Sequence, residues 1–68
     1  MQKNILTRRE KEIFELLVIN KSTKDISNDL LISEKTVRNH ISNVMQKLNV
    51  KNRSGALLEL IKLGEITL

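Results

Sequence analysis

The chain has 68 residues and a formal charge of +4, with no cysteine, no proline and one aromatic residue. This length accommodates a single small domain, which we assign to residues 1–68, and the lack of cysteine excludes disulfide bonds and thiolate metal sites. The sequence also contains no apolar run long enough to span a membrane and no apolar core of a signal peptide, which favours a cytoplasmic protein.

A helix-start pattern opens the chain. Thr7 and Glu10 stand three residues apart, which is the spacing of a capping box. Apolar residues at helical spacing then predict a helix over about 8–19, and Asn20 suits the left-handed turn that often ends a helix. Residues 1–6 are expected to form a frayed lead-in to this helix, with Ile5 and Leu6 packed against the core.

The next two helices follow closely on each other. Ser22 and Asp25 repeat the capping-box spacing and predict a short helix over about 23–30. Ser33 is placed to cap a longer helix over about 34–48. Two capped helices joined by about three residues are typical of a helix-turn-helix unit.

Leu31 lies in the turn between these helices, where many such units have glycine. A leucine with positive φ at this point would be strained. The alternative is a turn of different geometry.

The last helix is predicted over about 53–63, with Asn52 as its cap and Gly64 at its end. It carries more apolar surface than one small core can cover, which favours a contact with a second subunit. We predict a homodimer through Leu57, Leu58 and Ile61.

The central helix has two unlike faces. Its apolar stripe consists of Val37, Ile41, Val44 and Leu48. The opposite face is rich in Arg, Asn, Ser and Lys. Residues 34–53 contain five Lys and Arg against the single acid Glu34, a balance of +4. This combination favours binding to a nucleic-acid groove.

Three stretches together resemble a known family. These are LTRREKEIFELL, TKDISNDLLISEKTVRNHISNVMQKL and VKNRS, and they resemble the DNA-binding domain of LuxR-type regulators, in particular the standalone members that act in spore formation. The resemblance implies an all-α fold of four helices. The second and third helices would form the helix-turn-helix, and the fourth would pair two subunits.

The resemblance also implies roles for individual residues. Positions that face bases in the family are Arg38, Asn39 and Ser42, and we add Lys35 of the same helix. The resemblance implies contacts with the DNA backbone from Thr23, Thr36, Asn43 and Lys47, although the Thr36 hydroxyl could instead support the first turn of its helix. Lys51 and Arg53 are added because they form a cluster of cations with Lys47 on one edge. Two residues depart from the family pattern. Ser27 of the second helix replaces the usual Ala, which bears on how closely the second and third helices pack. Gly55 replaces Glu or Gln and predicts a weak cap on the last helix.

We therefore expect a sequence-specific regulator of transcription that binds double-stranded DNA as a homodimer in the bacterial cytoplasm, associated with the nucleoid when bound. One alternative is an interaction module that docks on RNA polymerase or another regulator through its last helix. Another is the detached effector domain of a larger response regulator, although Met1 just before the first helix favours a standalone protein.

Enzymatic chemistry is not expected from this chain. No nucleophile–base pair, metal cluster or glycine-rich phosphate loop is present in the sequence. We predict no cofactor and no metal. His40 is the single histidine and is expected to be packed and hydrogen-bonded.

Overall fold

The computed structural model describes residues 5–67. Within this range the chain forms four α-helices and no strand: α1 (Arg8–Val18), α2 (Thr23–Leu30), α3 (Glu34–Leu48) and α4 (Arg53–Lys62). The predicted all-α, four-helix fold is confirmed, and α2 and α3 have the predicted bounds. Helices α1 and α4 each end one residue earlier than predicted, because Ile19 and Leu63 act as C-caps.

The predicted lead-in is only partly described, since residues 1–4 lie outside the described residues. Leu6 belongs to the buried core and Ile5 packs against that core while remaining partly exposed. The segment just before α1 is therefore attached to the domain by apolar contacts.

Capping side chains set the helix starts. Thr7 Oγ1 accepts from the Glu10 backbone N–H at 3.2 Å, and Glu10 Oε1 accepts from the Thr7 N–H at 2.9 Å. Ser22 and Asp25 make the same reciprocal pair at the start of α2. Both predicted capping boxes are confirmed. Each cap satisfies N–H groups that have no partner within the helix.

The expected weak cap of α4 is wrong. Asn52 Oδ1 accepts from the Gly55 N–H at 2.7 Å, so the N-cap bond is made. Glycine at position 55 has no side chain that could accept from the Asn52 backbone N–H, so only this second bond of a capping box is missing. A Cβ atom there would stand 3.2 Å from Asn52 Oδ1, so glycine also allows the amide side chain to lie close to the backbone.

Helix α3 is the centre of the packing and contacts each of the other three helices. Its Val37, Ile41 and Val44 are buried as predicted, and Leu48 is partly buried against the core. The other buried apolar side chains are Leu6, Ile13, Phe14, Leu17, Ile26, Ala56, Leu60 and Ile66. With three sides of α3 covered in this way, its remaining side faces solvent.

Ser27 lies among these buried residues of α2. Its hydroxyl donates to the Lys24 carbonyl oxygen at 2.8 Å, so the buried polar atom has a partner. A hydroxyl satisfied within its own helix costs little on burial. Ser27 therefore takes the place of the family's alanine while α2 and α3 stay in contact.

Leu31 has the strained conformation that the sequence left open. Its φ is 58° and its ψ is 44°, in the left-handed region. The turn is nevertheless hydrogen-bonded, because the N–H groups of Leu31 and Ile32 both donate to the Ser27 carbonyl oxygen. The Leu31 side chain is 90% exposed, so packing does not compensate for the strain.

We expect Leu31→Asn to raise the free energy of unfolding by about 1 kcal/mol, since left-handed backbone costs most residues ~1–2 kcal/mol and asparagine less. The melting temperature should rise by roughly 4–8 °C for a domain of this size, measured by circular dichroism at one protein concentration. Ile19→Asn is the matched control, because Ile19 is also exposed but has a φ of −97°. An equal gain in both variants would refute strain as the cause.

Candidate nucleic-acid interface

The solvent side of α3 carries most of the predicted site. Lys35, Arg38, Asn39, Ser42 and Asn43 are all exposed. Residues three or four positions apart share one side of a helix. This spacing relates position 35 to 39, position 39 to 42, and position 38 to 42. The structure therefore brings the four predicted base-contacting residues onto one accessible surface.

Arg38 is not alone on this surface. Its Nη1 atom lies 3.5 Å from Oε1 of Glu34, one helical turn earlier. The side chains are 57% and 43% exposed, respectively. An ion pair this exposed stabilises the fold by at most ~1 kcal/mol, so its larger effect is on where the guanidinium group points.

The hydroxyl of Thr36 is engaged at the start of α3. Thr36 Oγ1 accepts a hydrogen bond from Ser33 Oγ at 2.9 Å, and Ser33 Oγ accepts from the Thr36 N–H at 3.0 Å. The Thr36 hydroxyl acts here as an acceptor, so its own proton remains free to donate. Its geometry is compatible both with support of the first turn and with a contact to a phosphate.

A shallow, open depression of about 260 Å³ connects α3 with the start of α4. It is lined by Arg38, Ile41, Ser42, Met45 and Arg53. Two arginines and a serine thus share this lining with the apolar Ile41 and Met45. A concave basic surface next to an exposed helix face is suited to a polyanion whose backbone passes beside the helix.

The sequence matches the family described as "Bacterial regulatory proteins, luxR family" over residues 4–60, which is most of the chain. The chain belongs to the luxR family of bacterial regulatory proteins. The resemblance of its sequence motifs to this family is thereby confirmed. The helix-turn-helix made by α2 and α3 is the DNA-binding unit of this luxR-family protein.

Individual relatives agree with this assignment. The chain is 64% identical over 66 residues to the spore germination protein GerE of Bacillus subtilis (strain 168), which covers 97% of this chain and 89% of GerE. A solved structure of the transcription factor GerE matches with a TM-score of 0.93 at 65% identity, covering 96% of this chain and 97% of that one. The chain is a GerE-type, DNA-binding regulator of transcription.

Longer proteins also contain this domain. The transcriptional regulatory protein DegU of Brevibacillus brevis is 51% identical over 61 residues, which is 90% of this chain but 26% of DegU. The chain therefore spans about a quarter of the length of that relative.

Three further predicted backbone contacts lie at the start of the helix-turn-helix or just after it. Thr23 is the first residue of α2 and is partly exposed, while Lys51 lies in the loop between α3 and α4 and is exposed. Arg53 begins α4 and joins Arg38 at the depression. These positions remain predictions, because contact with DNA depends on how the duplex is oriented.

Lys47, which is predicted to contact the DNA backbone, also makes hydrogen bonds within the domain. Its ammonium group donates to Glu10 Oε1 at 2.5 Å and to the Ile5 carbonyl oxygen at 3.3 Å. Lys47 is exposed, but its ammonium group is paired with a buried carboxylate, so we expect its removal to affect the stability of the fold. The group has three N–H donors, so one remains for the phosphate contact predicted from the sequence.

Glu10 is the buried partner of this pair, with its side chain 4% exposed. Burial by itself raises the pKa of the Glu10 carboxyl. The hydrogen bond and positive charge of Lys47 and the backbone N–H of Thr7 outweigh burial, and the pKa is lowered from its ordinary value of 4.5. Glu10 is therefore ionised at neutral pH and connects α1 to α3.

Sequence reasoning missed the two acidic partners of the site. The pairing of Glu34 with Arg38 had a local signal in their four-residue spacing, whereas Glu10 and Lys47 are 37 residues apart. His40 is partly buried as expected, but the expected hydrogen bond of its imidazole is not found among the described residues 5–67. Across the same range no helix has the length and apolar character needed to cross a bilayer.

Proposed function

We propose that this regulator binds double-stranded DNA sequence-specifically as a homodimer, with α3 of each subunit in the major groove. In this proposal Arg38, Asn39 and Ser42 contact base edges, assisted by Lys35. Arginine can bond guanine through O6 and N7, and asparagine can bond adenine through N6 and N7. The observation that carries the proposal is the exposed, donor-rich side of α3, opposite a stripe in which Val37, Ile41 and Val44 are buried.

Contacts with the DNA backbone would orient the subunit without selecting a sequence. The proposed set comprises residues within the helix-turn-helix and just after it: Thr23, Thr36, Asn43, Lys47, Lys51 and Arg53. Arg53, which begins α4 and lines the depression, supports a phosphate at that point. Lys47 is the least available of the set, since two of its donors bind Glu10 and Ile5.

The proposed dimer contact is α4. Leu58 is 56% exposed in the middle of this helix, and Leu57 and Ile61 are only partly buried. Their exposed parts form apolar surface that a second copy of the same helix would cover. Leu63, the C-cap of α4, is also exposed and extends this surface. Apolar surface concentrated on one helix is typical of an interface.

We expect the wild type to sediment as a dimer on DNA and to select two half-sites in inverted orientation, about 10 bp or a multiple of that apart. Leu58→Glu should abolish the dimer, because it buries a charge in an apolar contact, and should leave binding to a single half-site. Sedimentation velocity with and without a duplex selected from a random library measures both effects.

Ile19→Glu is the matched control for the dimer, since Ile19 is an exposed apolar residue outside α4. This variant should remain dimeric and retain binding to both half-sites. A monomeric wild type on DNA, or selection of one unrepeated half-site, would contradict the proposed dimer. Binding to duplex DNA that is insensitive to salt would contradict the groove contact itself.

An apolar α4 would also suit a second function, docking on RNA polymerase or another regulator. The exposure of Leu58 and Leu63 favours this candidate as well. Sedimentation of the Leu58→Glu variant separates the two functions. If α4 docks only on another protein, the substitution leaves the homodimer unchanged.

The similarity to GerE supports a role in spore formation. We assign the regulator to the bacterial cytoplasm, where it associates with the nucleoid when bound to DNA.

A further inference from the structure

We propose that Glu34 is a positioning residue that makes Arg38 favour a base over a backbone phosphate. This inference depends on the proposed function, in which Arg38 contacts a base edge. Glu34 Oε1 lies 3.5 Å from Arg38 Nη1 on the exposed side of α3. Glu34 is also the single acid within residues 34–53, so its charge acts on an otherwise basic surface.

The chemistry of the guanidinium group allows both contacts at once. Arginine has five N–H donors arranged in a planar fork. A contact between Nη1 and Glu34 leaves Nη2 and further donors free for O6 and N7 of a guanine. A carboxylate on one side of the fork therefore restricts the orientation of Arg38 without occupying the donors that a guanine needs.

Phosphate and guanine affect this pair differently. A phosphate that approaches Arg38 brings a negative charge next to the Glu34 carboxylate, and like charges at short range repel. A guanine edge is neutral and does not incur this repulsion. Glu34 should therefore weaken binding to random duplexes more than binding to the selected duplex. It should thus raise the affinity ratio, which is the affinity for the selected duplex divided by the affinity for a random duplex.

The test is Glu34→Gln, which keeps the side-chain length and removes the charge. The affinity for a random duplex should rise by about two- to five-fold, which is the strength of an exposed ion pair. The affinity for a duplex selected by the wild type should change less than about two-fold, because the guanine contact is retained. Fluorescence anisotropy on both duplexes across salt measures the ratio, after circular dichroism has verified folding.

Two variants separate position from charge. Glu34→Asp keeps the charge at the start of α3 but shortens the reach to Arg38, so it should lower the affinity ratio as Glu34→Gln does. Asp29→Asn removes an exposed acid of α2 and should change the ratio little. If Glu34→Asp keeps the wild-type ratio, or if Glu34→Gln raises both affinities equally, the positioning role is refuted.

Arg38→Ala distinguishes failure of this inference from failure of the proposed function. In the Arg38→Ala background, Glu34→Gln should no longer change the affinity ratio, because the group that Glu34 positions is absent. If Arg38→Ala leaves every base preference of the wild type intact, then the base contact itself is wrong. Glu34→Gln with an unchanged ratio, in a protein whose preference does depend on Arg38, refutes the positioning role alone.

Discussion

Lys47→Ala should lower the free energy of unfolding by about 2 kcal/mol at neutral pH. The substitution leaves the Glu10 carboxylate, 4% exposed, without its cation. Removing one partner of a fully buried pair costs ~3–5 kcal/mol. We expect less here because the Lys47 side chain is 36% exposed, which lets water replace part of the interaction. Urea unfolding at one protein concentration measures the change.

Lys35→Ala is the matched control, since Lys35 is an exposed lysine of the same helix and should be nearly neutral. The double variant Glu10→Gln/Lys47→Met should recover most of the stability that Lys47→Ala removes. Glutamine can keep the capping bond of α1, and a neutral pair leaves no buried charge without a partner. Equal destabilisation by the single and double variants would show that the ion pair is not the cause.

The effect of Lys47 on stability should depend on pH. Because the pKa of Glu10 is lower in the folded protein than its ordinary 4.5, protons favour the unfolded chain. The stability due to this ionised carboxylate is complete above pH 4.5 and is lost as pH falls through the lower, folded-state pKa. Wild type and Lys47→Ala should therefore converge in stability at acidic pH. A difference that stays constant from neutral pH down to the acid unfolding of the protein would contradict this linkage.

Lys47 also marks the limit of prediction from this sequence. The helix bounds follow from local signals, since Ser22, Ser33 and Asn52 cap the elements that follow them. The ion pair between α1 and α3 has no such signal, because its partners meet only after the helices pack. The sequence therefore predicts only that Lys47 contacts DNA, whereas in the folded domain Lys47 also forms an ion pair with the buried Glu10 carboxylate.

The candidate site was predictable to a similar extent. The apolar period of α3 determines which of its residues are exposed, and Arg38, Asn39 and Ser42 are exposed as predicted. The depression that joins Arg38 and Met45 to Arg53 depends on the angle between α3 and α4, which periodicity does not contain. The contact between Glu34 and Arg38 could have been predicted from their four-residue spacing. Counting charges showed Glu34 only as the single acid of a basic segment and did not indicate its partner.

Arg38→Ala should reduce affinity for the selected duplex by ~1–3 kcal/mol and remove preference at one base pair of each half-site. The physical reason is that alanine cannot make the two hydrogen bonds that we propose between Arg38 and a guanine edge. Other base pairs do not offer arginine the same pair of acceptors, so the preference for guanine depends on this side chain. Arg38 is exposed, and its ion pair with Glu34 is a surface pair, so the fold should tolerate alanine. Competition binding on selected, single-substitution and random duplexes measures the preference at each position.

Lys51→Ala provides the comparison, because Lys51 is an exposed cation proposed to bind phosphate. It should weaken all duplexes alike and reduce the salt dependence by about 0.9 in log–log slope for each phosphate that is no longer neutralised. Arg38→Ala should instead change the order of the duplexes. If Arg38→Ala lowers affinity equally for selected, substituted and random duplexes, Arg38 acts only through its charge. The bases would then be contacted by other residues of α3.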